Sequence, residues 1–134
     1  MTAKEVKSDR WYTQEHEWAK LEGDVLIVGI TAFAVDQLGD ITLVNFDVEP
    51  GDRLEANKAF GTIESVKTLS DLFAPVSGEV LELNMGLEDE PELVNDDCWG
   101  KGWMVKIKCD DESALASLLN SSQYLEHTEK SEQD

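Results

Sequence analysis

Gly39-Asp40-Ile41-Thr42-Leu43-Val44-Asn45 is echoed by Gly78-Glu79-Val80-Leu81-Glu82-Leu83-Asn84. In each copy a glycine and a carboxylate lead into a run rich in aliphatic residues, the pattern of a strand leaving a turn. Further on, Gly61-Thr62-Ile63-Glu64-Ser65-Val66 has a counterpart in Gly102-Trp103-Met104-Val105-Lys106-Ile107. The offset drifts from 39 to 41 residues, so the second copy carries an insertion, placed in the acidic stretch 87–97. Two similar half-sheets packed together are the expected result, linked by residues 67–77.

Reading outward, residues 16–30 form a hairpin turning at Glu22-Gly23-Asp24, with Val25-Leu26-Ile27-Val28 in its second strand. Thr31 caps a short helix near 31–38 that Gly39 stops. Strands are expected at 41–46, 59–66, 69–73, 79–83 and 103–107, separated by Glu49-Pro50-Gly51-Asp52 and Pro75-Val76-Ser77-Gly78. In the last strand Trp103, Val105 and Ile107 alternate with Met104, Lys106 and Lys108, which places the second set on a wet face. Asp110 and Asp111 then cap a C-terminal helix with a Leu115, Leu118, Leu119 stripe. The fold class is mainly β, a flattened barrel or sandwich of two quasi-repeated antiparallel sheets. The domain occupies residues 11–126, with an N-terminal extension 1–10 and a polar tail 127–134.

The chain has 134 residues, a one-domain length. It carries 29 acids against 11 Lys and Arg, a net charge of −18, which repels phosphate backbones and anionic membranes, so neither nucleic acid nor membrane is an expected partner. A hydrophobic content of 41% is too high for a disordered acidic tail. The longest mostly apolar run, 25–35, contains Thr31 and is too short for a membrane span. The first ten residues do not resemble a secretion signal, and a cytoplasmic location is expected, with a mature mitochondrial chain as the alternative. Cys98 and Cys109 form no C-x-x-C pair, and in the absence of a secretion signal they are read as reduced thiols rather than a disulfide.

Several catalytic patterns fail on inspection. His16-Glu17 begins like a zinc-protease helix, but Lys20 stands where the second histidine is needed. Gly100-Lys101-Gly102 lacks the frame of a phosphate loop, and the acidic run 88–97 lacks the glycine and alternation of a calcium loop. No catalytic or metal-binding residue is expected. What remains is Glu64-Ser65-Val66-Lys67-Thr68-Leu69-Ser70-Asp71, with Lys67 where the chain should reverse between the halves. Spacing alone makes it an accessible amine flanked by carboxylates, as an ordinary hairpin lysine would be.

That segment, together with Pro75-Val76-Ser77-Gly78-Glu79-Val80, resembles the lipoyl-attachment region of the glycine cleavage system H protein family. Tyr12-Thr13 with His16-Glu17-Trp18, Val28-Gly29-Ile30-Thr31, Gln37-Leu38-Gly39-Asp40, and Glu92-Leu93-Val94-Asn95 with Gly100-Lys101-Gly102-Trp103 resemble further stretches in the same order. The likeness spans residues 11–120. It implies a non-catalytic carrier with lipoate in amide linkage on Lys67, in an attachment hairpin that includes Glu64, Ser65, Val66 and Asp71. It further implies that an aminomethyl group passes from glycine decarboxylase to aminomethyltransferase, and the reduced dithiol to dihydrolipoyl dehydrogenase. Lipoyl-attaching enzymes are implied partners too, and the carrier is expected to be a monomer. Glu17 and Asp71 fall at family positions near the loaded arm, so Glu17 is a candidate contact in its cleft. Thr68 and Leu69 depart from the smaller residues common after the lysine. Cys98-Trp99 replaces a commoner tyrosine-containing pair, and Phe73 replaces a frequent tyrosine. The alternatives are a related protein relaying lipoate to other complexes and an unmodified acidic interaction module.

Overall fold

The computed structural model describes residues 6–133. In chain order it contains β1 (Trp11–Tyr12), β2 (Glu17–Glu22), β3 (Val25–Ile30), α1 (Ala32–Leu38), β4 (Ile41–Phe46), β5 (Arg53–Leu54), β6 (Ala59–Ser65) and β7 (Leu69–Phe73). These are followed by β8 (Gly78–Leu83), α2 (Gly86–Asp89), α3 (Leu93–Asp96), β9 (Val105–Cys109), a 3₁₀ turn (Glu112–Ser117) and α4 (Ser121–Gln133). A six-stranded sheet is ordered β1-β2-β3-β9-β8-β5, and a three-stranded sheet β4-β6-β7. The two sheets do not join into a closed barrel, so the sandwich form of the expected fold is the one adopted.

The internal echo is visible in the pairing. β4 lies antiparallel to β6 and β8 antiparallel to β9. The first ladder slips between Ile41 and Leu43, leaving Thr42 over, and the second slips between Val80 and Glu82, leaving Leu81 over. Thr42 and Leu81 are 39 positions apart, the offset of the echoed segments. A bulge retained at the same place in both copies is a designed bend of the strand. The insertion falls where expected and folds into α2 and α3. The link between the halves is shorter than 67–77, because β7 completes the first sheet. Lys67 therefore tips a hairpin within one half and does not lie between the two halves.

Local chemistry explains the hairpin and the first helix. Glu22 pairs with Val25 across the turn at Gly23, whose φ is 65°. Thr31 accepts from the Ala34 N–H and so caps α1, a bond worth about 1 kcal/mol. The main core joins both sheets through Leu26, Val28, Val44, Phe60, Ile63, Leu72, Val80 and Ile107.

Three further expectations need correction. Met104 is fully buried, not on a wet face: β9 starts only at Val105. The Met104 N–H donates to Val28 C=O and its carbonyl accepts from Asn84 N–H, so period-two logic does not reach it. The single C-terminal helix is instead a 3₁₀ turn capped by Asp111, then a bridge between Leu119 and Tyr12, then α4. Leu119 exchanges both backbone hydrogen bonds with Tyr12 at 2.8 Å, and this interrupts the helix the leucine spacing predicts. Helix α4 also crosses the expected tail boundary at 126, where Thr128 is buried.

At the other end, Val6 and Lys7 are partly buried and Arg10 is buried, while Ser8 and Asp9 between them are exposed. The Tyr12 hydroxyl meets Lys7 C=O at 2.6 Å, and buried Arg10 lies 4.6 Å from the Trp18 ring centroid. Residues 1–5 and 134 of the expected extension and tail lie outside the described residues. Cys98, which is buried, and Cys109, which is partly buried, are not joined in a disulfide. Among the described residues no helix is long and apolar enough to cross a membrane.

Candidate functional site

The β6–β7 hairpin places the candidate lysine. Ile63 pairs with Ser70 and Glu64 with Leu69, and the Ser65 N–H donates to Thr68 C=O at 2.8 Å. Val66 and Lys67 are thus the two central residues of a tight turn. The Ser65 hydroxyl oxygen accepts from the N–H groups of Lys67 and Thr68, each at 3.2 Å, which is why serine suits this position. Glu64, Val66, Lys67 and Asp71 are all exposed. Val66 is 67% and Leu69 60% accessible, so apolar side chains flank the amine on both sides. Among the described residues Lys67 makes no ion pair.

Beside the hairpin, α1 and β7 enclose a cleft of about 400 Å³, a size suited to a small molecule. Glu17, Leu38, Ile63, Thr68, Asp71 and Phe73 are among its walls, so two of the candidate carboxylates face one space. Glu17 and Phe73 also line a second cleft of about 550 Å³ that reaches Ser77 and Leu118. Glu17 therefore stands in the wall between the two.

Glu17 is only 3% exposed. Its Oε1 accepts from the Thr13 hydroxyl at 2.7 Å and its Oε2 from the Phe73 N–H of edge strand β7 at 3.4 Å. Burial outweighs these bonds and pushes its pKa up from 4.5 to about 8. The neighbouring His16 is pushed down from 6.5 to about 4, first by burial and then by the charge of His127.

Histidine 16 belongs to a network that inspection of the sequence missed. Its Nδ1 lies 2.8 Å from the Tyr124 hydroxyl, which lies 2.7 Å from Thr31 Oγ1. Helix α4 thereby ties the cap of α1 to the segment carrying Glu17. Residues 16 and 124 are 108 apart, and no local pattern announces such a pair.

The raised Glu17 value has a measurable consequence. Ionising this group costs more in the folded than in the unfolded chain, so its stabilising contribution is complete below about pH 4.5 and is lost as pH rises through about 8. Relative to Glu17→Gln, the parent is expected to lose on the order of a few kcal/mol between about pH 5 and 8. Denaturant midpoints at both pH values check this, and parallel curves for the two proteins would refute it.

The glycine cleavage H-protein family profile matches residues 10–131, and so takes in the hairpin, the cleft and most of α4. The chain belongs to that family. It is 56% identical over 113 residues to the glycine cleavage system H protein of Bacteroides fragilis, covering 84% of this chain and 89% of the relative. The H protein of Staphylococcus carnosus is 52% identical over 121 residues, with 90% and 95% coverage. A crystal structure of the Mycobacterium marinum H protein superposes with a TM-score of 0.83 at 36% identity, covering 92% of this chain and 98% of that one. The H-protein fold and the sandwich described above are therefore the same.

Proposed function

We propose that this chain is the lipoyl-bearing carrier of a glycine cleavage system, with Lys67 as the attachment residue. The observation that carries the proposal is an exposed primary amine, without an ion pair among the described residues, at the tip of a hydrogen-bonded turn in an H-protein chain. An acylating enzyme needs an amine it can reach, and the residues present fit that requirement. When bound, lipoate would supply a reversible disulfide able to hold a one-carbon amine unit and to carry electrons.

The chain's own residues have simpler tasks in this proposal. Lys67 holds the arm, Ser65 keeps its turn closed, and Glu64 and Val66 form the rim on one side. The cleft excludes water from whatever it holds. Glu17 and Asp71 offer carboxylates to a protonated amine, and for buried Glu17 such a charge-assisted bond would favour the ionised form. The chemistry belongs to the partners: glycine decarboxylase, aminomethyltransferase and dihydrolipoyl dehydrogenase, together with a lipoyl-attaching enzyme. A cytoplasmic monomer completes the proposal.

Intact-mass measurement of the protein from its native, lipoate-sufficient host is the direct test. A lipoyl-sized adduct on Lys67 is expected, and its consistent absence would sink the carrier role. An adduct without glycine–bicarbonate exchange in a mixture reconstituted with the decarboxylase would point to lipoate relay instead. The net charge of −18 adds a further expectation. Encounters with basic docking faces should slow as ionic strength rises, since screening shortens the range of steering. Transfer rates indifferent to salt would leave the acidity a role in solubility alone.

A further inference from the structure

The two central residues of the lysine turn lie beyond the β6–β7 ladder, and what ties them to the body of the protein is a bond from outside the hairpin. The Val66 N–H donates to the carbonyl of Asp40 at 3.0 Å. Asp40 sits at the corner between α1 and β4, next to Gly39 with φ 79° and ψ −150°. The lysine stem rests on that glycine: a Cβ built there would stand 3.4 Å from Lys67 Cε. Residues 39–41 are therefore the seat of the lysine turn, and an unanchored corner would leave the seat loose.

Asn95 grips this corner from the opposite side. Its Nδ2 donates to Gly39 C=O at 3.0 Å, and its Oδ1 accepts from Ile41 N–H at 2.9 Å. One acceptor and one donor of the backbone are thus met by the two ends of a single carboxamide, an arrangement that fixes which end is nitrogen. Asn95 is itself held by α3, where Val94 is fully buried and the Asp97 N–H closes on Leu93 C=O at 2.9 Å. The acidic insertion that distinguishes the second copy from the first carries this side chain.

We propose that Asn95 is a positioning residue for Lys67. Its carboxamide clamps residues 39–41, so that Asp40 C=O is held in place for the Val66 N–H and Gly39 for the lysine stem. The amine is then presented to an acylating enzyme from an ordered turn. This inference rests on the reading of Lys67 as the attachment site, but the clamp can be tested without it.

The test uses the full chain with Asn95→Ala and Asn95→Asp. The aspartate keeps an acceptor for Ile41 N–H but has no donor for Gly39 C=O, and its similar size guards against failure of the alanine variant to fold. Amide hydrogen exchange by NMR is read at Ile41 and Val66, with Val28 and Ile107 as core controls. In Asn95→Ala both Ile41 and Val66 should exchange about tenfold faster or more, the expected result of losing a hydrogen-bonded support, while the controls hold. In Asn95→Asp only Val66 should accelerate. Unchanged protection of Val66 in the folded variants, or an equal change at the core controls, overturns the proposal.

The second readout is acylation of Lys67 by an ATP-dependent lipoate ligase. A loosened turn can be reordered on the enzyme, so kcat/KM should fall about tenfold, mainly through KM. Altered exchange with unaltered kcat/KM would also overturn the positioning role. If the unsubstituted chain itself is never acylated, the carrier reading fails and the exchange data still decide the clamp.

Discussion

Replacement of Lys67 by arginine is expected to abolish the lipoyl adduct and, with it, all carrier activity, while leaving the fold untouched. Arginine keeps the positive charge, but its guanidinium remains protonated and is not an acyl acceptor at neutral pH. The turn is closed through Ser65 and through backbone groups, none of them on the Lys67 side chain. An exposed substitution of this kind changes stability by no more than about 0.5 kcal/mol. Glycine–bicarbonate exchange in the reconstituted system should fall to the rate of the mixture without carrier, since no lipoyl group is left to take up the aminomethyl unit. Intact mass, melting temperature and exchange rate measured on one preparation check the three parts together. Exchange retained in Lys67→Arg would exclude the assignment of this lysine.

The largest expected effect on stability is at Gly78, the opening glycine of the second copy. It pairs with Leu54 on one side and Cys109 on the other, inside the six-stranded sheet. A Cβ there would stand 2.3 Å from the Lys108 carbonyl oxygen and 2.6 Å from Ile107 Cγ2. Neither obstacle is a flexible side-chain end: one is backbone, and the other belongs to a fully buried residue. Relief requires β8 and β9 to separate, so Gly78→Ala should cost about 3 kcal/mol or more, the upper part of the range for overpacking. For a domain of this size that lowers the melting temperature by roughly 10 °C. Calorimetry of the variant checks this, and an unshifted melting temperature would contradict the β8–β9 register.

Much of the fold was legible because its signals are local. The hairpin at Gly23, the Thr31 cap and the Gly39 stop each depend on chemistry within a few residues, and all are present. The echoed segments announced two antiparallel pairs, and the matching surplus residues Thr42 and Leu81 carry the likeness down to the bulge. The C-terminal region was misjudged because leucines at helical spacing leave open whether a distant strand will claim one of them. Leu119 is claimed by Tyr12, 107 residues earlier in the chain. Arg10 is a similar case near the N-terminus: it is polar in sequence but buried against Trp18 in the fold.

The amino-acid sequence by itself determined the lysine turn, the repeat and the family likeness, since each is written in consecutive residues whose backbone preferences act locally. Only the tertiary structure decided the character of Glu17, one acid among 29 until α1, β7 and the Thr13 hydroxyl surround it and burial raises its pKa. Only the tertiary structure likewise brought Asn95 to the corner beneath Lys67 and Tyr124 to His16. Side-chain burial and long-range hydrogen bonds depend on which surfaces meet, and that is settled when the sheets pack, not by the order of residues along any one strand.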